Sequence, residues 1–206
     1  MKIEVKREER VKVLENSDGT KTVIISKNDC KLKELSPGEV FTIGEHAFIV
    51  LEQNPYANGT YVISKDFMAR NVRFGDNNNY CNSSLRKKIE TEILPIIEKE
   101  VGAENIIEHE VSLTSVDMQD NCGSLRCKVR PITFNESREY NDLLVNEGLG
   151  DWWWTCTPWS TEERGWKYSI AVVSPSGCIY YGNCNLISGV RPFCILNSNI
   201  FVSRGE

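Results

Sequence analysis

The residues able to do chemistry in this chain are eight cysteines, two histidines and a dense run of aromatics toward the C-terminal end. The cysteines stand at 30, 81, 122, 127, 156, 178, 184 and 194. A zinc knuckle needs two thiolates two residues apart, so that one tetrahedral ion can take both. Here Cys122 and Cys127 are separated by four residues, and Cys178 and Cys184 by five. Only His46 and His109 could add nitrogen ligands, so a mixed site runs short and no metal or cofactor is expected. His46 falls in a hairpin turn and His109 in a polar stretch, neither near a nucleophile motif. Glycine-rich phosphate loops are absent too. No catalytic residue is assigned, and the thiols are read as reduced and mostly buried, most clearly Cys178 and Cys194, packing as small hydrophobes.

The aromatics suggest recognition instead. Five tryptophans (152, 153, 154, 159 and 166) and Tyr168, Tyr180 and Tyr181 fall within 30 residues. Trp153 and Trp154 are expected to be core, two rings large enough to fill a small domain's interior. Trp159 and Trp166 sit in a Thr/Glu/Arg/Gly-rich loop without core periodicity, where aromatic anchors supply recognition energy. Asn183 and Asn185 lie beside the tyrosine pair and add adaptable hydrogen bonds to flat stacking area. The expected ligand-binding set is therefore Trp159, Trp166, Tyr168, Tyr180, Tyr181, Asn183 and Asn185. Arg191 is assigned to structure, its guanidinium satisfying carbonyls or a carboxylate.

The elements that must position these residues are mostly short. Asn16–Gly19 is a turn signal between two β-rich runs, and 40–51, with Gly44-Glu45 at its centre, reads as a second hairpin. Thr60–Ser64 follows as a strand. A helix is expected over 83–101, started by Asn82-Ser83-Ser84 and kinked or broken by Pro95. A second is expected over 133–147, where Thr133 and Glu136 form a T-x-x-E capping box. Residues 110–116 read as an edge strand and 117–128 as a loop. Past Asp151 the chain is β again, with a type II turn at Ser174–Gly177 and a closing strand at 190–196. These elements imply an α+β domain with two main helices against a twisted antiparallel sheet. Residues 1–35 would be a β-hairpin appendage to a main domain over 36–206.

Three segments resemble an uncharacterised domain of bacterial and prophage proteins, many from gut Firmicutes. That domain is marked by a Ser-Ser-hydrophobic-Arg helix start, a Trp-Trp-Leu-Arg-Ser-Pro strand and a closing Gly-Val-Arg-Pro-Ala-Leu. The counterparts here are Ser83-Ser84-Leu85-Arg86, Trp153-Trp154-Thr155-Cys156-Thr157-Pro158 and Gly189-Val190-Arg191-Pro192-Phe193-Cys194. Cys156 stands where that domain usually has arginine, so nothing that arginine does carries over. The domain's C-terminal layout looks like the C-type-lectin-like fold shared by formylglycine-generating enzymes and by the variable ligand-binding proteins of diversity-generating retroelements. The resemblance thus implies that 36–206 is a C-type-lectin-like domain displaying a binding surface on its late strands and loops.

A net charge of −5 works against broad nucleic-acid binding, and no apolar run approaches the length needed to cross a membrane. The first ten residues lack the apolar core of an export signal. The expectation is a non-enzymatic binding module of phage or prophage type, in the cytoplasm of the producing cell, with a place in the virion as the alternative. Its ligand would be a protein, a glycan or a nucleotide. Two other readings stand beside it. One is a phage accessory inhibitor that sequesters a host defence protein or signalling nucleotide. The other is a copper or redox enzyme using Cys178 and Cys184, as the likeness to formylglycine-generating enzymes suggests.

Overall fold

The structure is a computed structural model that describes residues 10–16, 19–26, 29–54 and 56–205. The reading of the first nine residues and the tip of the first turn lie outside them. In chain order the strands are β1 (Arg10–Glu15), β2 (Lys21–Ser26), β3 (Asp29–Lys31), β4 (Val40–Ile43), β5 (His46–Asn54), β6 (Gly59–Ser64), β7 (Ala69–Arg73), β8 (Ile106–Ile107) and β9 (His109–Ser112). They continue as β10 (Ser124–Cys127), β11 (Val129–Pro131), β12 (Trp153–Pro158), β13 (Ser169–Val173), β14 (Ile179–Asn183), β15 (Ile187–Val190), β16 (Pro192–Asn197) and β17 (Phe201–Arg204). The α-helices are α1 (Ser84–Lys88), α2 (Leu94–Val101), α3 (Phe134–Glu139) and α4 (Asn141–Leu144).

Two sheets carry the body. The larger curls as a half-barrel in the order β11-β16-β6-β5-β4-β17-β3, with β8 added beside β16, and its pairings are antiparallel. The smaller runs β14-β13-β12-β15-β7 and is antiparallel except for one parallel bridge, Trp153 to Gly189. Among the described residues the hairpins β1-β2 and β9-β10 pair only within themselves. Side chains alternate across a strand, so the adjacent tryptophans of β12 enter different cores. Trp154 packs with Phe74, Val72 and Val172, and Trp153 with Leu144, Leu149 and Phe193. Both are buried, as the sequence suggests.

With 40% strand and 22% helix, the chain is mostly β, and the expected two-helix α+β, C-type-lectin-like architecture is overturned. The 133–147 segment supplies the clearest reason. The capping box forms, but Tyr140 leaves helical geometry at φ −101°, ψ 16°, splitting α3 from α4. Its hydroxyl reaches Glu52, while Asn141 Nδ2 turns to the carbonyls of Ser137 and Gly177. Tertiary hydrogen bonds there outweigh the continuation of a weakly apolar helix. In the 83–101 segment Ser83 Oγ accepts from Arg86 N at 3.0 Å, capping the start. A π-helical turn over Ile89–Ile93 precedes Pro95. The wider turn removes the clash between the proline ring and the carbonyl four residues back.

Other expectations shift as well. Residues 117–128 are not all loop, because β10 pairs with β9. The appendage ends before residue 35: β3 pairs with β17, and Leu32 and Leu35 are buried in the main core. At Ser174–Gly177 the positive φ of 81° falls on Gly177, the fourth residue, rather than on Ser176. The turn is therefore a type I form closed by a left-handed glycine, with Gly177 N donating to Ser174 O. Among the described residues no helix is long and apolar enough to cross a membrane.

The Gly189–Phe193 segment is a corner where the chain leaves the smaller sheet as β15 and enters the larger as β16. A Cβ on Gly189 would lie 2.4 Å from the Phe67 ring, so only glycine fits. Arg191, fully buried at that corner, donates from Nε to Ser64 O at 2.9 Å and from Nη1 to Leu144 O at 2.8 Å. Its guanidinium stacks 4.9 Å from the Trp153 ring centre. The structural role read from the sequence is the one the contacts display.

Candidate functional site

The 159–168 loop is held from both sides by polar clamps. Its ends close on each other, Trp159 N donating to Ser169 O at 2.9 Å and Trp166 N to Thr161 O at 2.9 Å. From beneath, the buried Asn78 side chain donates to Ser160 O at 2.7 Å and Trp166 O at 3.0 Å, while its own N–H bonds Lys167 O. Asp117 takes the outer side, accepting from Ser160 Oγ at 2.7 Å and Arg164 Nη1 at 2.6 Å. A loop fixed this way can hold aromatic rings out in solvent at little entropic cost.

The rings it holds meet those of β14. Trp159 lies 5.5 Å from Tyr181 and 6.4 Å from Tyr180, and Trp166 packs edge-on to Tyr181 at 5.2 Å. Tyr180 and Tyr181 stack at 4.6 Å, wrapping the outer strand of the smaller sheet. Trp166 and Tyr181 are 36% and 37% exposed and Tyr180 is 55% exposed, whereas Trp159 is half-buried and forms the foot of the group. The hydrogen bond between the two tyrosines raises the Tyr180 pKa.

Of the seven residues expected at the site, these four form one connected group of rings, with Tyr181 touching each of the others. Tyr168 is exposed on the adjoining strand end, where Lys167 Nζ sits 5.9 Å from its ring centre. Asn183 and Asn185 are exposed, but their side chains organise the turn. Asn183 Oδ1 accepts from Asn185 N at 2.9 Å, and Asn185 Oδ1 accepts from Arg73.

A groove of about 250 Å³ adjoins the cluster, lined by Trp152, Trp154, Tyr180, Tyr181, Leu186 and Ile187, with Asp151, Asn183 and Ser188 as its polar groups. Its floor requires Gly182, where a Cβ would lie 3.0 Å from Val172 Cγ1 and 3.4 Å from Trp154 Cζ3. Sequence reading missed Trp152, Gly182, Leu186 and Ile187 as a group. The alternation placing Trp152 and Trp154 on one face was the available signal. Nothing in the sequence marked Asn78 beyond its place in an asparagine run.

The strongest ionisable cluster lies elsewhere. Arg130 forks onto Glu136 at 2.6 and 2.7 Å, and its Nε donates to His109 Nε2 at 3.0 Å. Glu136 also accepts from Thr133 N and Oγ1. Burial pushes the His109 pKa down to about 4, helped by the Arg130 charge. Burial alone would raise the Glu136 carboxyl, but the bonds from Arg130 and Thr133 bring it below its usual range. Arg130, Thr133 and Glu136 border a cavity of about 430 Å³, yet they spend their hydrogen bonds within the cluster.

The cysteines are free thiols. Contrary to expectation Cys178 is exposed, while Cys156, Cys184 and Cys194 are buried and Cys30, Cys81, Cys122 and Cys127 are partly so. Burial pushes Cys156 and Cys194 up to about 12, keeping them protonated and poor nucleophiles at neutral pH. Cys178 and Cys184 flank β14, whose five extended residues hold them roughly 20 Å apart. Among the described residues no group of three His, Cys, Asp or Glu side chains is placed to hold a metal.

No family model, curated protein or solved structure matches the chain. The likeness to the prophage domain therefore rests on its three motifs alone.

Proposed function

We propose that this chain is a non-enzymatic binding module whose ligand or partner rests on the aromatic surface formed by the 159–168 loop and β14. One observation carries the reading: Trp159, Trp166, Tyr180 and Tyr181, from two separate segments, gather in contact without being buried. Exposed aromatic surface that touches water is unfavourable unless something covers it, and contiguous patches of this kind mark interaction sites. The mutual engagement of Arg130, Glu136 and His109 supports a binding role, because no member is left free to move a proton to a substrate.

The test is an array screen of the folded protein against glycans, peptides and nucleotides, repeated with Tyr181→Ala and Trp166→Ala. A ligand retained by the native chain should be lost by both variants while their unfolding midpoints stay close to native. Retention by both variants at native strength would sink the reading.

A further inference from the structure

The groove beside the cluster is walled mainly by aromatic and aliphatic side chains, and the sign of its charge is uniform. Trp152, Tyr180, Tyr181, Leu186 and Ile187 form its walls, no lysine or arginine lines it, and Asp151 is its single ionised group. Asp151 is exposed and joins no ion pair among the described residues; its Oδ1 accepts from Trp152 N at 2.7 Å, leaving Oδ2 for a ligand. Its other hydrogen-bonding groups lie on Asn183, whose Oδ1 is engaged by Asn185 N, and on the hydroxyls of Tyr180 and Tyr181, while Ser188 is buried.

Three ligand chemistries can be weighed against that lining. A phosphate or carboxylate would meet a carboxylate and no cation. A hydroxyl-rich sugar could bond Asp151 or Asn183 along one edge, but its hydroxyls turned to Leu186 and Ile187 would surrender water without finding partners, and buried unpaired hydroxyls are costly. An ammonium ion wrapped in methyl groups suits every wall. Its carbons pack against the aliphatic rim, its charge is attracted to the electron-rich faces of Trp152 and Tyr180, and the Asp151 carboxylate balances it. The volume, near 250 Å³, is below that of common drug-sized pockets and fits a compact head group.

We infer that the groove between Trp152 and the Tyr180–Tyr181 pair binds an alkylated ammonium group carried by a small molecule, with Asp151 as its counter-ion. The inference rests on the binding-module reading and names the ligand class of that site.

Choline and its neutral isostere 3,3-dimethylbutan-1-ol separate charge from shape. Titrated against the full chain and followed by tryptophan fluorescence and calorimetry, choline should bind about tenfold or more tightly than the isostere. Asp151→Asn, which keeps the bond to Trp152 N, should remove most of that preference, and Trp152→Ala should weaken choline binding several-fold. Equal binding of the isostere, or no choline binding at roughly 10 mM, overturns the inference. So does a trimethyllysine peptide that binds far more tightly than choline, since the group would then come from a protein tail. In any of these cases an array ligand still lost by Tyr181→Ala would leave the binding-module reading intact.

Discussion

Trp153 and Trp166 differ little as residues and greatly in what they hold. Trp153 is fully buried under Arg191, so Trp153→Ala should cost about 3–5 kcal/mol, the usual penalty for emptying a large aromatic site. Trp166→Ala, at a ring 36% exposed, should cost less than about 1 kcal/mol, and urea titration of the two variants measures the difference. His109 sets a second residue-scale expectation. Its folded pKa of about 4 lies below the ordinary histidine value near 6.5, so the unfolded chain takes up the proton first as pH falls. Stability should be fully present above about pH 6.5 and decline as pH drops toward 4. Between pH 7 and pH 5 the loss is about 1–2 kcal/mol after allowance for solvent screening of a half-buried ring. Glu136, whose folded pKa is depressed, adds its own loss only at lower pH. His109→Gln keeps an acceptor for Arg130 and should flatten the pH 5–7 slope; an unchanged slope would refute the assignment.

At the scale of elements, the sequence was readable wherever a local rule had no tertiary competitor. The Ser83 cap, the Thr133–Glu136 box and the disturbance before Pro95 are local, and all three form. Strands β7, β10, β15 and β17 are short and carry polar or glycine residues, so alternation could not reveal them; their partners decide them. Tyr140 shows the converse, a helix ended by a hydrogen bond to a residue 88 positions away. The recognition loop depends on such a distant partner too. Asn78→Ala removes the donor to Ser160 O and Trp166 O; Trp166 O keeps its bond from Ser169 N, but Ser160 O loses its partner, at about 1–3 kcal/mol. Its clearest effect should be local: amides of 160–168 should exchange faster with deuterium than in the native chain, while those of β12 stay protected. Unchanged exchange in that loop would mean that Asn78 does not hold it.

For the whole molecule, the core tryptophans and the closing strand were legible because large apolar side chains mark burial in residue type. The order of strands was not, because it is set by which apolar faces meet, and two sheets back to back present the same alternation as one. The Gly189–Phe193 corner is the step that local patterns could not supply, since it carries the chain from one sheet into the other. Arg191 joins them chemically, bonding Ser64 O at the end of β6 in the larger sheet and stacking on Trp153 of β12 in the smaller, with a further bond to Leu144 O at the end of α4. Burial lowers its pKa to about 10, so the charge itself is a burden that the two carbonyl bonds and the Trp153 stack offset. Arg191→Ala should therefore lose packing and both donors while shedding that burden, for a net cost of about 2–4 kcal/mol. Arg191→Met keeps most of the stem and should fall between Ala and native. All five tryptophans lie between residues 152 and 166, on β12 or the segments flanking it, so their fluorescence reports the smaller sheet, whereas far-ultraviolet dichroism reports both. If the corner couples the sheets, both signals should shift together in one transition in each variant. Fluorescence melting at lower denaturant than dichroism in Arg191→Ala would show instead that the sheets are independent units and that Arg191 stabilises only one.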